Sequence, residues 1–326
     1  MASHRLSRLV LGFVFAPLGV LIVLTGCATG TTAAPAPEAQ PSGSPFEHIH
    51  ALGADSLTGN TYAATHQGVW LLPTGMLPEN YLDGAPLGTT DAPAQIAGRA
   101  HDAMGFTVAA PGLLLTSGHP DPAEQQDLPL PNLGLESSID GAQTWTSLSL
   151  RGETDFHDLD TVPLSADTSG TATLRVYGYD AGAGTVSISD DSGITWSSGA
   201  AVSLRDLAAD QKNPDRVFAT TADGLAVSID AGRNFTLVDG APLLVLIDAP
   251  GVEAGGGLMG VDPDGSIWRQ DGTSEIWAQT GTTDGVPEAL NVVDGATPWI
   301  LVADARGVVA SDDDGATWTT LVAMGT

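Results

Sequence analysis

The chain has 326 residues, of which 39 are acidic and 11 are basic, so its formal net charge at pH 7 is −28. Nucleic-acid binding draws much of its affinity from lysine and arginine, so this charge excludes nucleic acid as an expected partner. The chain also contains 40 glycines and 21 prolines. Short β-branched runs lie between Gly, Pro, Asp and Asn, which is typical of an all-β protein.

Residues 1–26 are predicted to be a secretory signal, with Arg5 and Arg8 before an apolar run. That run is shorter than the ~20 apolar residues of a stable membrane span. The Leu-Thr-Gly that precedes Cys27 resembles the lipobox of bacterial lipoproteins, which implies cleavage before Cys27 and lipid on its thiol. The alternative is an ordinary signal peptide with an unrelated cysteine. Cys27 is the single cysteine, so the mature domain has no disulfide and no thiol nucleophile.

Residues 27–45 are rich in Ala, Pro, Thr and Ser and show no apolar periodicity, which predicts a disordered tether after the lipidated cysteine. The folded domain is then expected over residues 46–326. We expect a monomer, held by its lipid at the outer face of the cytoplasmic membrane. The acidic charge of the domain does not favour contact with an anionic membrane surface. The acyl group on Cys27 therefore has to provide the attachment.

Four segments of the folded domain share a pattern of serine, aspartate, a small residue and an aromatic residue. Their defining residues are Ser138, Asp140, Trp145; Ser189, Asp191, Gly193, Trp196; Ser228, Asp230, Gly232, Phe235; and Ser311, Asp313, Gly315, Trp318. They resemble the Asp-box, or BNR repeat, of β-propellers. We interpret these repeated turns as structural, because the carboxylate and hydroxyls can bind turn backbone and the aromatic residue can pack between sheets.

The spacing of the repeated turns predicts the number of blades. Their aspartates lie 51, 39 and 83 residues apart, and the last gap fits two repeats with a degenerate copy near Asp271. Innermost strands are expected to begin near residues 48, 101, 156, 204, 243 and 288. We therefore predict a β-propeller of six blades with four antiparallel strands each. The alternative is a seventh blade between Gly84 and Asp121.

Nearly all of the predicted mature chain is similar to a group of bacterial lipoproteins called glycosylhydrolases after these repeats. The similar stretches include His-Ile-His-Ala-Leu-Gly from His48 and Ser-Gly-His-Pro-Asp-Pro from Ser117. Related propellers include sialidase-like and sortilin-like proteins. Because the name follows the repeat, the resemblance implies the fold and leaves the activity open. The arginine motif of sialidases is missing, so that activity is not expected.

All histidines of the predicted folded domain fall between residues 48 and 157, and we treat them as candidate metal ligands: His48, His50, His66, His101, His119 and His157. Repeat-equivalent positions of innermost strands meet around the propeller axis. Aligning the strands on their leucines places four residues in one ring, which we take as candidate ligand-binding residues: His50, His157, Arg205 and Glu288. The second blade adds either Asp102 or His101, depending on its register.

Two or three imidazoles with a carboxylate suit Zn²⁺ or Cu²⁺. The same ring could instead bind an anionic or sugar ligand, with Arg205 as the cation. A third interpretation is that each histidine serves only local backbone groups. The acidic turns at Asp262–Gly265 and Asp312–Asp314 are candidates for Ca²⁺, with solvated turns as the alternative.

Two functions remain open from the sequence. The favoured one is a binding module that presents a ligand or metal site, or assists the assembly of an envelope protein. The alternative is a glycoside hydrolase acting on an envelope or extracellular glycan. That reaction needs two carboxylates ~5–5.5 Å or ~6.5–9.5 Å apart, and the candidates are Asp102, Asp158, Asp206 and Glu288.

Overall fold

The computed structural model describes residues 45–82, 87–88, 90–166, 172–251, 256–271, 276–295 and 297–323. The predicted signal, Cys27 and the tether up to residue 44 lie outside these residues. Within the described part, no helix has the length and apolar character that crossing a membrane requires.

The described residues form 24 strands in six antiparallel sheets, and each sheet consists of four consecutive strands. Blades 1 and 2 contain β1 (Ile49–Asp55), β2 (Asn60–Thr65), β3 (Gly68–Leu71), β4 (Ala94–Gln95), β5 (Asp102–Ala110), β6 (Leu113–His119), β7 (Leu135–Ser138) and β8 (Thr146–Ser149). Blades 3 and 4 contain β9 (Phe156–Ala166), β10 (Ala172–Asp180), β11 (Thr185–Ser189), β12 (Ser197–Ala201), β13 (Leu204–Ala209), β14 (Val217–Thr221), β15 (Gly224–Ser228) and β16 (Thr236–Leu237). Blades 5 and 6 contain β17 (Leu246–Asp248), β18 (Gly257–Val261), β19 (Ser266–Asp271), β20 (Trp277–Thr282), β21 (Ala289–Val293), β22 (Trp299–Asp304), β23 (Gly307–Ser311) and β24 (Thr319–Ala323).

The predicted six-bladed propeller is confirmed, and the seven-blade alternative is wrong. The segment between residues 84 and 121 supplies β4, the outer strand of blade 1, and then β5 and β6 of blade 2. Packing explains the arrangement, since each blade interface buries one hydrophobic cluster. Between blades 1 and 2, for example, Tyr62 and Phe106 lie with their ring centroids 6.0 Å apart.

The ring is closed by the cluster between blades 6 and 1, which we call the closing seam. Phe46, near the start of the described chain, and Leu321, near its end, are both buried in it. Tyr81 packs edge-on against Trp299 in the same cluster, with ring centroids 5.5 Å apart. Each described blade keeps its own four consecutive strands, so the ring closes through contacts between blades and not through a strand shared by two of them.

The repeated turns join the third and fourth strands of a blade. In blade 3, Asp191 accepts hydrogen bonds from the backbone N–H of Thr195 at 2.8 Å and from its hydroxyl at 2.6 Å. Gly193 has a φ of +91°, and a Cβ there would lie 2.6 Å from Leu135 Cδ2. The positive φ favours glycine at this position, and a larger residue would also have to displace the Leu135 side chain. Between β19 and β20, residues 272–275 of the predicted degenerate copy lie outside the described residues.

Replacing Asp313 with alanine should lower the thermal midpoint by a few degrees. Its carboxylate accepts bonds from the Thr317 N–H at 2.8 Å, the Thr317 hydroxyl at 2.7 Å and the Ser311 hydroxyl at 2.8 Å. Each such bond contributes roughly 1 kcal/mol or less at an exposed turn. Asp312→Ala, which removes the same charge from the neighbouring exposed position, is the control for calorimetry. Equal midpoints for the two variants would contradict the turn's structural role.

Candidate functional site

One end of the propeller gathers most of the histidines. The innermost strands β1, β5 and β9 begin at this end, and their antiparallel partners return to it. His66 follows β2 and His119 ends β6, so both come back to the starts of the innermost strands. We call the resulting group the histidine face, and its members are His48, His50, His66, Asp102, His119, Asp155, His157 and Glu288.

Three atoms of the histidine face form a tight triangle. His50 Nε2 lies 3.2 Å from His66 Nδ1, and both nitrogens approach Asp102 Oδ1, at 3.2 Å and 3.0 Å. The His50 side chain is only 7% exposed, whereas His66 is 41% exposed. The triangle is therefore anchored in the protein on one side and accessible on the other.

Asp102 links this triangle to a second group. Its other oxygen, Oδ2, lies 3.0 Å from His119 Nδ1. The opposite nitrogen of that ring, His119 Nε2, lies 3.1 Å from Asp155 Oδ2, and His157 Nε2 lies 2.9 Å from the same oxygen. A continuous chain of imidazoles and carboxylates thus runs across blades 1, 2 and 3.

The predicted ring at the axis is present as the wall of a cavity. His50, His157, Arg205 and Glu288 all line a space of about 190 Å³, together with Met104 of the second blade. Glu288 Oε1 lies 3.1 Å from His48 Nδ1, and Glu288 Oε2 accepts the backbone N–H of Ile49 at 2.9 Å. Carboxylate, imidazole and guanidinium therefore meet at one mouth of the central channel.

Burial and neighbouring charges set the protonation of this face. Burial alone would raise the pKa of Asp102, but hydrogen bonds from His50 and His66 hold it at about 2. Burial lowers the pKa of His50, although Asp102 opposes the shift. The hydrogen bond to Asp155 raises the pKa of His157, against the effect of burial. At neutral pH the triangle thus combines an ionised carboxylate with a neutral imidazole at His50, which are the protonation states that metal ligands need.

Deeper in the channel, the remaining catalytic candidates bind backbone. Asp158 Oδ2 accepts the N–H of Leu207 at 2.6 Å, and Asp206 Oδ2 accepts the N–H of Ile247 at 2.7 Å. Each of these bonds joins the innermost strand of one blade to that of the next. Glu288 makes the equivalent bond between blades 6 and 1. Three of the four candidate catalytic carboxylates therefore fasten neighbouring blades together.

Two further channel carboxylates continue the same pattern. Asp160 Oδ2 accepts the N–H of Ala209 at 2.7 Å, and Asp248 Oδ2 accepts the N–H of Val292 at 2.6 Å. Burial raises the pKa of Asp160 to about 7. Burial, with repulsion from Asp160, raises the pKa of Asp248 to about 8. Burial also raises the pKa values of Asp158 and Asp206, which lie together in the channel.

His101 does not join the histidine face, so its assignment as a metal ligand is corrected. Its side chain is buried, with 1% exposure, and its ring lies 5.9 Å from that of Trp145. Burial, reinforced by the charge of Arg99, lowers its pKa to about 4. The register of β5 turns Asp102 rather than His101 toward the other histidines.

The acidic turns are not metal clusters among the described residues. Asp262 Oδ1 accepts backbone N–H groups from Asp264 and Ser266, and its Oδ2 accepts the indole N–H of Trp268 at 2.8 Å. In the other turn, the carboxylate of Asp313 is bound to its own turn. These contacts give Asp262 and Asp313 a structural role, and neither turn contains a cluster of three candidate metal ligands among the described residues.

Asp155 is the functional candidate that the sequence did not single out. It precedes β9 and is separated from His157 by one residue, so both side chains emerge on one side of an extended segment. The available signal was thus the pair Asp155-x-His157, next to a histidine-rich half of the chain. Its side chain is 7% exposed, and its Oδ1 has no hydrogen-bond partner among the described residues.

No protein-family profile matches this chain, and no curated protein sequence matches it. Solved structures do share its architecture. A GH74 xyloglucanase from Xanthomonas campestris has a TM-score of 0.51 and 18% identity, over 83% of this chain and 38% of that enzyme. The chain therefore spans well under half of the enzyme's length. At this identity the similarity shows the propeller fold alone.

Two other solved structures are more distant. YCF48 bound to D1 peptide has a TM-score of 0.49 and 14% identity, over 85% of this chain and 83% of YCF48. PorZ, a surface component of the type-IX secretion system of Porphyromonas gingivalis, has a TM-score of 0.49 and 10% identity, over 86% of this chain and 34% of PorZ. The comparisons thus show a β-propeller fold and leave the activity open.

Proposed function

We propose that this protein is a lipid-anchored metal-binding module of the cell envelope, and that His50, His66 and Asp102 hold a divalent cation such as Zn²⁺ or Cu²⁺. The triangle of their ligand atoms carries the proposal, with edges of 3.2, 3.2 and 3.0 Å. A tetrahedral ion with bonds of about 2.0–2.1 Å places its ligand atoms roughly 3.3–3.4 Å apart. The side chains therefore need little adjustment to accept the ion.

The donor set narrows the choice of ion. Two imidazole nitrogens and one carboxylate oxygen suit borderline cations better than Mg²⁺ or Ca²⁺, which prefer oxygen ligands. Three protein ligands leave a fourth position for water or a small ligand. The 41% exposure of His66 puts the triangle within reach of solvent, so ions can exchange without opening the fold.

Residues outside the metal ligands support the same site. His119 Nδ1 lies 3.0 Å from the second oxygen of Asp102, and such a contact fixes the orientation of a ligating carboxylate. Desolvation favours a neutral imidazole at His50. Both effects prepare the ligands before an ion arrives.

The location belongs to the proposal as well. Cys27 and the three residues before it resemble a lipobox, so we place the propeller outside the cytoplasmic membrane with lipid as its attachment. A metal-binding domain at that position would take up, hold or hand over ions in the envelope. A role in the assembly of an envelope protein would use the same exposed face.

Glycoside hydrolysis is the alternative function. It would have to draw on carboxylates that are already engaged, since Asp158, Asp206 and Glu288 each accept an N–H group from the next blade. Asp102 is surrounded by His50, His66 and His119. A metal-binding function leaves the contacts of Asp158, Asp206 and Glu288 in place and uses Asp102 among its histidines. We therefore prefer metal binding to glycoside hydrolysis.

Metal analysis of the full-length protein tests the proposal. After incubation with Zn²⁺ or Cu²⁺ and removal of free ion, elemental analysis should find bound metal, and His66→Gln should lose the ion at the triangle. Asp91→Asn is the control, because it changes an exposed residue outside the histidine face. Absence of bound metal in the unmodified protein would contradict the proposal, and glycan hydrolysis that depends on Asp158 would support the alternative.

A further inference from the structure

We infer that the histidine face holds a second divalent cation, bound by His119, Asp155 and His157 and separate from the first. The inference rests on the proposed function, because it assigns a second ion to the same face. One ligand atom from each of these three residues lies within 4.8 Å of the others. The two imidazoles and one carboxylate repeat the donor set of the first triangle.

The buried carboxylate points to a missing partner. Asp155 Oδ2 is approached by both His119 Nε2, at 3.1 Å, and His157 Nε2, at 2.9 Å. Its other oxygen, Oδ1, is buried and has no hydrogen-bond partner among the described residues. Buried polar atoms are normally satisfied. A cation bound by the two imidazoles and the Asp155 carboxylate would add a partner to this buried and incompletely paired group.

The contacts of His119 fit the same conclusion. Its Nδ1 faces Asp102 Oδ2 at 3.0 Å, so this nitrogen is placed to donate to the carboxylate. The opposite nitrogen, Nε2, lies 3.1 Å from Asp155 Oδ2 and is the atom that would bind the second ion. A metal-bound histidine that donates its other N–H to a carboxylate is the usual arrangement at such sites.

His119 therefore connects the two ions without belonging to both sites. It is a ligand of the second ion, and it is the positioning residue that holds Asp102 for the first. The affinities of the two sites are coupled through this one ring, and the coupling is reciprocal by thermodynamic necessity. Loss of the second site is expected to weaken the first, by up to the roughly 10–100-fold that loss of such an outer contact costs.

Stoichiometry separates the two sites in the full-length protein. Elemental analysis after loading with Zn²⁺ should give two ions per chain, one in His66→Gln, one in His157→Gln and none in the double variant. One ion in the unmodified protein that survives His157→Gln and disappears in His66→Gln would overturn the second site and leave the proposed function intact. No ion in the unmodified protein would overturn both.

A titration of the unmodified protein keeps the test independent of folding defects in the variants. Added Co²⁺ should produce visible absorption that stops increasing at two equivalents, with the second phase absent in His157→Gln. A break at one equivalent in the unmodified protein would overturn the second site. Circular dichroism of each variant establishes that it retains the propeller.

Discussion

Asp102→Asn should remove the first proposed ion and weaken binding of the second about 10–100-fold. Asparagine keeps the shape of the side chain but lacks the negative charge that interacts with His50, His66 and the proposed ion. The same change alters the acceptor for His119 Nδ1, which lies 3.0 Å from Asp102 Oδ2. Asp102 is the residue that touches both groups, so its replacement is expected to have the widest effect on metal binding.

Competition with a coloured chelator measures both affinities. Asp91→Asn is the matched control, because it removes one charge from an exposed position outside the histidine face. The control should keep two ions and unchanged affinities. If Asp102→Asn also kept two ions with unchanged affinities, the assignment of Asp102 as a ligand would be wrong.

Thermal stability is expected to fall as the pH rises from about 4 to about 8, owing to the channel carboxylates. Burial raises the pKa of Asp248 to about 8 and that of Asp160 to about 7, from ~3.9 in an unfolded chain. Between these values the two carboxyl groups bind more protons in the folded protein than in the unfolded one, and they outweigh the opposite contribution of buried His101, whose pKa is lowered to about 4. Stability therefore decreases with pH across this window.

Asp248→Asn should flatten this dependence. An amide cannot reproduce every bond of the carboxyl group, so the substitution can change the melting temperature at every pH. The readout is therefore the difference between the melting temperatures at pH 5 and pH 8. Asp239→Asn removes an equal charge from the exposed surface and should keep the dependence of the unmodified protein. We expect the two variants to differ by at least about 1 kcal/mol over the window, or about 2–4 °C. Equal slopes would contradict the raised pKa of Asp248.

Spacing in the sequence predicted the fold well, because propeller blades repeat a local unit. The turns around Asp140, Asp191, Asp230 and Asp313 bind their own backbone, so their distances along the chain report the blades directly. The register of the innermost strands was harder to predict. In blade 2 the pairing shifts between Asp102 and Gly105, and such a bulge leaves no clear mark in the sequence.

The candidate site was likewise predicted only where it did not depend on strand register or on contacts between blades. The histidine skew and the leucine alignment predicted that His50, His157, Arg205 and Glu288 would meet, and they line one cavity. The choice between His101 and Asp102 depended on the bulge, and Asp155 was missed because it lies before its strand. The bonds from Asp158 and Asp206 to the next blade join residues 49 and 41 positions apart, so no local pattern could reveal them.

The closing seam has a consequence for how the chain could be rearranged. Phe46 and Leu321, close to the two ends of the described chain, are buried in one cluster, and each described blade uses only its own strands. The boundary between blades 6 and 1 is thus built like the other blade boundaries, with no strand shared between the two blades. A circular permutant that joins these ends and opens the chain between two other blades would keep all six blade interfaces, and with them the histidine face, to which blades 1, 2, 3 and 6 contribute.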